Sequence, residues 1–233
     1  MKKTILGAIV LVAALVMTGC QNKKQQKENI QTEPLTTEAQ ENRLLIIVDP
    51  QIDFTTGSLA TAKGPEAMDY LAECVNNGVL KKYSWVAVTQ DFHPANHCSF
   101  VEQGGVFPPH CVQETEGMNL QPSLQKAIDE NIGNTQIIYL HKGDLADKEE
   151  FSVFQNELSG EKLRATIEDR QFEGIDVCGI ATDYCVYETV KDLMAFYPAN
   201  QIRVITNCVA AVDDNDTKLA DLMKENCIEG ITF

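Results

Sequence analysis

LLIIVDP, residues 44–50, is an unbroken aliphatic run that stops at an aspartate and a proline. Short runs rich in branched side chains and lacking polar alternation are typical of parallel strands that are buried on both faces. Similar runs recur along the chain, and together they predict a mostly parallel sheet of about six strands: WVAVT (85–89), QIIYL (136–140), IDVCGI (175–180), IRVIT (202–206) and a shorter GITF (230–233).

Segments with apolar residues at helical spacing separate these runs. Gly64-Pro65 and Pro122 supply the kind of first turn in which proline is tolerated. Regular alternation of strand and helix predicts an α/β fold with three layers, α/β/α, of the Rossmann-like kind. The predicted helices lie near residues 65–80, 120–132, 160–171, 183–197 and 215–227.

Residues 1–20 have the pattern of a bacterial export signal. Lys2 and Lys3 precede an apolar run over residues 5–17, and two small residues stand before Cys20. The ending Met-Thr-Gly-Cys resembles a lipoprotein signal, in which Cys20 becomes the lipidated first residue; a plain secretory signal is the alternative. We therefore expect an exported lipoprotein in the cell envelope, held by a membrane lipid anchor at Cys20 on the periplasmic side of the membrane.

The next segment, residues 21–42, is rich in Gln, Asn, Lys, Glu and Thr and has almost no apolar periodicity. Such a segment cannot bury enough surface to offset the entropy lost on ordering. We predict a flexible polar tether over residues 21–42 and one folded domain over residues 43–233, which is a usual size for a single domain.

Charge and cysteine content narrow the functional classes. The formal net charge is −15, which disfavours nucleic acid as a partner because phosphates would be repelled. A small neutral or cationic substrate is the more natural expectation. Of the eight cysteines, seven remain once Cys20 is set aside. An odd number in an exported protein leaves at least one thiol unpaired, either buried and inert or reactive.

Chemically capable side chains follow four of the predicted strands. Asp49 follows the first, Asp91 and His93 the second, Lys142 the third, and the segment 181–185 the fourth. Ligands bind beyond the carboxyl ends of the strands in an open parallel sheet. One charged residue at a strand end is usually only a solvated turn, but four such ends together predict an active site at this edge.

GIATDYC, residues 179–185, predicts a strand that turns into a helix with Cys185 in the first turn. Free N–H groups and the helix dipole at this position would lower the pKa of Cys185 and favour a nucleophilic thiolate. The N–H groups of Ala181 and Cys185 are candidates for an oxyanion hole. Asp49 is a candidate base and Lys142 a candidate charge partner; the alternatives are an apolar packing role for Cys185 and ordinary surface charges.

DFHPANHCSF (91–100) and PPHC (108–111) contain three of the four histidines of the chain. Asp91, His93 and His110 are enough to hold one divalent metal ion, Zn²⁺, Mn²⁺ or Fe²⁺, with open positions for water or substrate. His97 is a further candidate ligand. The alternative is that these histidines are hydrogen-bonding residues of a loop.

Five segments in order resemble the nicotinamidase branch of the isochorismatase-like cysteine hydrolases. This resemblance extends over residues 44–212. The segments are VDPQIDF (48–54), TQDFHPANHCSF (89–100), PPHCV (108–112), HKGDLADKEEFSVF (141–154) and GIATDYCV (179–186).

The resemblance implies a catalytic triad and an activity. Asp49 would be the base, Lys142 the third triad member and Cys185 the nucleophile, with a cis peptide bond before Ala181. The implied reaction converts nicotinamide to nicotinate and ammonia through a thioester, as in NAD salvage.

The resemblance also implies how metal and substrate are held. Asp91, His93 and His110 would bind the metal, Zn²⁺ being the first choice, while His97 is a ligand in some relatives and linked through water in others. The metal would hold the pyridine nitrogen of the substrate. Phe54, Phe107 and Tyr184 would form apolar walls around the ring. Assembly into a homo-oligomer is left open.

Two positions depart from the family pattern, since Phe107 and Phe92 stand where many relatives have Trp. The alternatives left open are an amidase or carbamoyl hydrolase of the same superfamily acting on another small amide, and a non-catalytic envelope module that binds metal or a pyridine. Relatives that act on other amides commonly lack the metal residues, and true isochorismatases lack the cysteine at position 185.

Overall fold

A computed structural model of the protein describes residues 40–233. The predicted signal at residues 1–20, with Cys20, and most of the predicted tether lie outside the described residues. Within residues 40–233, none of the helices combines the length and the apolar character needed to cross a membrane.

The described chain contains six strands and six α-helices, with two helices between the first and second strands and one helix between each later pair of strands. The strands are β1 (Glu41–Val48), β2 (Tyr83–Asp91), β3 (Gln136–Lys142), β4 (Gly174–Ile180), β5 (Ile202–Ala210) and β6 (Glu229–Ile231). The helices are α1 (Ile52–Thr55), α2 (Gly64–Asn76), α3 (Pro122–Asn131), α4 (Glu157–Arg170), α5 (Cys185–Met194) and α6 (Lys218–Glu225).

All six strands are parallel and lie in the order β3-β2-β1-β4-β5-β6. The predicted α/β fold with a six-stranded parallel sheet is therefore confirmed. From β1 the chain adds β2 and then β3 on one side of the sheet. It then crosses back and adds β4, β5 and β6 on the other side of β1, so the strand order reverses between β1 and β4. In sheets of this order the ligand crevice lies at that reversal, beyond the carboxyl ends of the two strands.

Apolar side chains cover both faces of the sheet, as expected for strands that are aliphatic without alternation. In β1, Leu45 and Ile47 join a core beneath α2 and α3, while Leu44, Ile46 and Val48 join a second core on the side of α4, α5 and α6. All five side chains are fully buried. These two cores hold the central strands rigidly, so the residues at their ends are fixed in position.

The first strand begins at Glu41, inside the segment predicted as tether. The Asn42 side chain donates hydrogen bonds to the carbonyls of Arg170 and Gln171, both at 3.2 Å, and the Gln40 amide donates to the Tyr83 carbonyl at 2.7 Å. Polar side chains thus dock the start of the strand. A search for apolar runs cannot detect such a start.

A buried ion cluster joins the amino-terminal ends of the strands. Asp176 of β4, fully buried, accepts hydrogen bonds from Arg43 of β1 at 2.5 Å, from Arg203 of β5 at 2.8 and 2.6 Å, and from the Tyr83 hydroxyl of β2 at 2.6 Å. Four neighbouring strands are therefore tied through one carboxylate, at the edge opposite to the predicted site.

Candidate active site

Four strand ends bring the predicted catalytic groups together. Asp49 follows β1 with a φ of 46°, a left-handed conformation that aspartate adopts more readily than most residues. Asp91 and Lys142 are the last residues of β2 and β3, and Cys185 is the first residue of α5, after β4. Asp49 and Lys142 are fully buried, and Asp91 and Cys185 are nearly so. The prediction of one cluster from four separate strands agrees with this arrangement.

Lys142 lies at the centre of the group. Its Nζ atom lies 2.9 Å from Asp49 Oδ2 and 3.5 Å from Cys185 Sγ, donates to Asp91 Oδ1, and donates to the Glu150 carbonyl at 3.2 Å. One ligand atom each of Asp49, Asp91 and Cys185 fall within 4.8 Å of one another. A thiol, a carboxylate and an ammonium group are thus in mutual reach, which is the geometry that nucleophilic catalysis by cysteine requires.

Burial governs the protonation of this group. It raises the pKa of the Cys185 thiol well above its usual value, against the opposing charge of Lys142. Burial also raises the pKa of Asp49, although Lys142 and a hydrogen bond from Thr89 act in the other direction. The expected lowering of the Cys185 pKa by the helix start is therefore not found, because desolvation outweighs it. A thiol whose pKa is raised by burial therefore lies next to a candidate base.

Backbone groups around the cysteine match the second part of the prediction. The Ile180–Ala181 peptide bond is cis, as the resemblance implied. Among residues 40–233, the N–H groups of Ala181 and Cys185 donate to no carbonyl or side chain. Two free N–H groups next to a nucleophile, one directly after β4 and one at the start of α5, are suited to bind the oxygen of an attacked carbonyl.

The candidate metal ligands also converge. Asp91 Oδ2 lies 3.5 Å from His93 Nε2 and 3.9 Å from His110 Nε2. The Nδ1 atom of His93 donates to the Gly143 carbonyl at 2.9 Å and that of His110 to the Pro108 carbonyl at 2.8 Å. Each ring therefore presents the lone pair of Nε2 towards Asp91, an arrangement typical of histidines that bind metal.

A second observation supports the fit of a metal ion to these residues. His93 Nε2 is fully buried and has no hydrogen-bond partner among the described residues. A buried polar atom without a partner costs free energy, unless a metal ion or water satisfies it. Two imidazole nitrogens and one carboxylate oxygen are the donor set that suits Zn²⁺ and related divalent ions.

His97 occupies a different position from the other three candidate ligands. Its ring stacks on His93 with the centroids 4.0 Å apart, but both of its nitrogens are already used. Nε2 lies 3.0 Å from the Lys148 carbonyl, so it carries the proton, and Nδ1 lies 2.7 Å from Ser99 Oγ. In this conformation His97 supports the ring of His93 and offers no free lone pair.

A cavity opens directly above the cysteine and the candidate metal ligands. The predicted substrate residues Phe54, Phe107 and Tyr184 all line it, and Phe107 and Tyr184 meet edge to face with centroids 5.5 Å apart. Phe151, to which we assigned no role from the sequence, completes the aromatic wall. The remaining lining residues are Leu59, Asp91, His110, Glu149, Ala181, Cys185 and Val212.

Several residues of the site were not predicted. The Gln51 amide donates to the Asp91 carbonyl and accepts from the Asp91 N–H, both at 2.8 Å, so it fixes the backbone of a candidate ligand. The Thr89 hydroxyl donates to Asp49 Oδ1 at 2.7 Å and orients the candidate base. Gln51 and Thr89 lie within the quoted segments, and a buried polar residue next to Asp49 or Asp91 is the signal that could have found them.

The loop after β3 is held by another carboxylate that was not predicted. Glu150 accepts from the Gly143 N–H at 2.8 Å and from the Asn156 amide at 2.9 Å, and it pairs with Lys148 at 2.7 Å. Because the Glu150 carbonyl also accepts from Lys142, this residue fixes both the lysine and the loop that faces the cavity.

The sequence model of the isochorismatase domain matches residues 43–227. This chain belongs to the isochorismatase domain family. The match covers nearly all of the described residues, and it includes every predicted catalytic and metal-binding position.

Relatives of this isochorismatase domain include known amidases. The nicotinamidase of Escherichia coli (strain K12) is 32% identical over 82% of this chain and 93% of its own length. The zinc complex of the pyrazinamidase of Pyrococcus horikoshii has 26% identity and a TM-score of 0.68, covering 82% of this chain and 99% of its own. PnC1 from L. infantum in complex with nicotinate has 29% identity and a TM-score of 0.68, and the match covers 82% of this chain and 92% of the PnC1 chain.

One of the two departures from the family pattern in this isochorismatase domain, Phe92, does not face the substrate cavity. The Phe92 ring stacks on the His141 ring with centroids 4.3 Å apart, and Phe92 does not line the cavity. Phe107 does line it. Of the two substitutions for Trp, only the one at Phe107 is therefore positioned to affect the size of the substrate.

Proposed function

We propose that this protein is a nicotinamidase, a cysteine hydrolase that converts nicotinamide to nicotinate and ammonia with the help of one divalent metal ion. The observation that carries the proposal is the position of Cys185, between Asp49 and Lys142 on one side and an aromatic cavity on the other. The likeness to nicotinamidases and to a nicotinate-bound structure supports the choice of substrate.

The first half of the reaction forms a thioester. Asp49 accepts the proton of the Cys185 thiol, and the sulfur attacks the carbonyl carbon of the carboxamide. The N–H groups of Ala181 and Cys185 bind the oxygen as it becomes negative. The C–N bond then breaks, and the proton on Asp49 passes to the nitrogen, which leaves as ammonia. Lys142 stays protonated and limits the repulsion between the thiolate and the buried carboxylates.

The second half returns the enzyme to its starting state. Asp49, which has given up its proton, takes one from a water molecule, and the water oxygen attacks the thioester carbonyl. Collapse of the second tetrahedral intermediate breaks the C–S bond and releases nicotinic acid, which gives up its proton to solvent and becomes nicotinate. The departing sulfur recovers a proton from Asp49. Because burial raises the pKa of Asp49 above its usual value, this residue is suited to take up and return a proton in both halves.

Asp91, His93 and His110 would hold the metal ion. When bound, such an ion supplies a Lewis acid that fixes the pyridine nitrogen, directly or through water, and so aligns the carboxamide with Cys185. We propose Zn²⁺ as the ion, on the nitrogen-rich donor set and the zinc complex of the P. horikoshii relative.

The direct test measures ammonia release from nicotinamide by the full chain and by Cys185→Ala. The variant should lose activity by a factor of about 10⁴ or more, because Cys185 is the only thiol among the residues of the described chain that line the cavity. Cys208→Ala is the matched control, since Cys208 is equally buried but lies outside the site, and it should retain activity. Substantial turnover by Cys185→Ala would show that the nucleophile is misassigned.

A comparison of amides tests the substrate. Benzamide has the ring and the carboxamide but lacks the ring nitrogen, so a metal-oriented nicotinamidase should hydrolyse it far more slowly than nicotinamide. Equal rates for the two amides would favour an amidase of other specificity. Binding of nicotinamide without ammonia release by the metal-loaded chain would favour a non-catalytic binding module.

We also propose that the protein is exported and anchored by a lipid on Cys20. The support is the sequence of residues 1–20 alone, with its lysine pair, its apolar run and its small residues before a cysteine. Cells labelled with a palmitate analogue should yield a labelled protein in the membrane fraction, and Cys20→Ala should abolish the label. Cys227→Ala, which removes an exposed cysteine of the domain, should leave it unchanged.

A further inference from the structure

Asp183 lies in the turn between β4 and α5 that carries the candidate oxyanion hole. It stands midway between Ala181 and Cys185, whose N–H groups donate to no acceptor among residues 40–233, and its own side chain is only 4% exposed. A carboxylate just before a helix ordinarily accepts from the first N–H groups of that helix. In the described chain no side-chain hydrogen bond caps α5, so Asp183 leaves the Cys185 N–H free.

The Asp183 carboxylate instead binds the loop after β5, residues 211–217. Oδ1 accepts a hydrogen bond from the Val212 N–H at 3.0 Å, and Oδ2 accepts one from the Asp213 N–H at 2.8 Å. Two successive N–H groups of this kind form an anion-binding hollow. Asp183 therefore joins the turn at residues 181–185 to a loop of the neighbouring strand, and Val212 of that loop lines the cavity.

The position of the turn depends on few other contacts. The Thr182 N–H donates to the Ala210 carbonyl at the end of β5, at 2.9 Å, and the remaining backbone hydrogen bonds of the turn lie within the turn and α5. Hydrogen bonds of the second kind set the shape of the turn but do not locate it against the sheet. Asp183 accepts two of the three hydrogen bonds that tie the turn to β5 and its loop.

The charge of Asp183 has no ion-pair partner in the part of the chain that the structure describes. Lys218 Nζ lies 3.4 Å from the backbone carbonyl of Asp183, but its ion pair is with Asp216. Burying a carboxylate that only N–H groups stabilise costs desolvation free energy. Such a cost is typical of residues that serve a site, and less so of residues that only fill a core. A role at the neighbouring site accounts for it.

We propose that Asp183 is a positioning residue of the amidase reaction, which holds the N–H groups of Ala181 and Cys185 in place by binding the loop after β5. This inference rests on the nicotinamidase function proposed above and deepens it. The oxygen of the attacked carbonyl needs these donors most when it becomes negative, so their position affects the chemical step more than substrate binding. A displacement of about 1 Å in such a site can cost about 100-fold in rate.

The first experiment separates kcat from KM in the zinc-loaded full chain. Asp183→Asn keeps the shape of the side chain, but its NH₂ group faces one of the two N–H donors and cannot accept from it. The kcat for ammonia release from nicotinamide should fall about 10- to 100-fold, while KM stays within about threefold. Asp214→Asn is the matched control, an equal charge change at an exposed residue of the same loop, and should match the unaltered chain.

Nicotinaldehyde tests the oxyanion hole without turnover. When the Cys185 thiol adds to its carbonyl, sulfur bonds to carbon, the π electron pair moves to oxygen, and the thiol proton passes to Asp49. Because this oxyanion resembles that of the reaction, the aldehyde affinity of Asp183→Asn should fall by the same factor as kcat/KM. Uncleaved nicotinamide, bound to Cys185→Ala with and without Asp183→Asn, should show dissociation constants within about twofold of each other.

Two further measurements exclude simpler explanations. Val212→Ala keeps both backbone donors to Asp183 and removes only a side chain of the cavity wall, so it should raise KM with little change in kcat. If Asp183→Asn behaved in the same way, Asp183 would only support the wall, and the proposal would be wrong. Titration against a competing chelator should give Asp183→Asn the zinc affinity of the unaltered chain, because no candidate metal ligand lies in the turn. An equally large loss of zinc affinity would indicate general distortion of the site and would also overturn the proposal.

Asp213→Pro takes the place of Asp183→Asn if that variant does not fold. It removes one of the two N–H donors from the exposed loop and leaves the buried turn unaltered, so kcat and aldehyde affinity should fall together by a smaller factor. Asp213→Asn keeps this N–H and is the control for it.

Unchanged kcat and aldehyde affinity in Asp183→Asn, or in Asp213→Pro where only that variant folds, would overturn the role of Asp183 and leave the proposed function standing. If the unaltered chain released no ammonia from nicotinamide, the proposed function would fail, and this inference with it.

Discussion

Gly143 is the residue on which the position of His93 depends most directly. Its φ is 64°, and its carbonyl accepts the hydrogen bond from His93 Nδ1. A β-carbon at this position would lie 2.4 Å from Cε1 and 2.6 Å from Nδ1 of the His93 ring, closer than non-bonded atoms can approach. A glycine is required here both by the backbone conformation and by the closeness of the ring.

Gly143→Ala should therefore weaken metal binding. Because the added methyl group must displace His93, we expect zinc affinity to fall by about 10- to 100-fold, the range usual for the loss of an outer-shell partner. Gly104→Ala is the matched control, since Gly104 has a φ of 88° but open space around its β-carbon position. It should cost about 1–2 kcal/mol of stability for the left-handed backbone and leave zinc affinity intact. Equal zinc affinity in the two variants would contradict the steric argument.

Single residues differ in how far the sequence could predict them. Asp49 and Cys185 follow from the rule that chemistry collects at the carboxyl ends of parallel strands. The roles of Gln51 and Thr89 depend on their hydrogen bonds to Asp91 and Asp49, which come from different strands. The spacing of residues along the chain does not reveal such contacts. The pKa of Cys185 was predicted in the wrong direction, because the extent of its burial is a property of the packed protein.

At the scale of elements, the order of strands and helices was predictable because each strand is aliphatic throughout. The residues at which each element begins and ends were less predictable. The helix predicted near residues 65–80 ends at Asn76, since Gly78 with a φ of 89° turns the chain out of the helix. The strand predicted at residues 202–206 continues to Ala210, past the polar Thr206 and Asn207, because pairing with β4 resumes at Val209 after an irregularity.

The ion cluster that joins β1, β2, β4 and β5 predicts how stability depends on pH. Burial alone would raise the pKa of Asp176, but hydrogen bonds from Arg203, Arg43 and Tyr83 outweigh it and leave the pKa below its usual value. A carboxyl group with a lowered pKa in the folded state contributes stability above its unfolded pKa of about 4, and this contribution is lost as the pH falls through the folded value.

Asp176→Asn should therefore destabilise the protein by about 3 kcal/mol at pH 7, the low end for a broken buried ion pair because Arg203 is partly exposed. The difference in unfolding free energy between the variant and the unaltered chain should begin to shrink below about pH 4, where Asp176 of the unfolded chain becomes protonated, and it should disappear once the pH has fallen through the lower pKa of the folded state. Urea denaturation between pH 7 and pH 2.5 measures both quantities. A difference that stays constant over this range would show that the charge of Asp176 is not what stabilises the sheet.

For the whole molecule, the sequence predicts an export signal, a polar tether and a folded domain. The boundary between the tether and the domain can be tested. The family match begins at Arg43, whereas β1 begins at Glu41 and Gln40 is already hydrogen-bonded to the Tyr83 carbonyl. A boundary drawn from apolar pattern or from family similarity therefore falls inside the strand. Folding, by contrast, depends on where the polar contacts of the strand start.

Two shortened chains distinguish these boundaries. A chain of residues 40–233 keeps Asn42 and Arg43. If residues 21–39 are the flexible tether that their composition predicts, its unfolding free energy should equal that of the full chain within about 0.5 kcal/mol. A chain of residues 44–233 keeps every aliphatic residue of β1 but leaves Asp176 without Arg43, and it should be less stable by about 3 kcal/mol because a buried ion pair is broken. Urea denaturation of the three chains at pH 7 provides the comparison. If the two shortened chains were equally stable, the polar start of β1 would contribute nothing to the fold, and a boundary at Leu44, where the apolar run begins, would be sufficient.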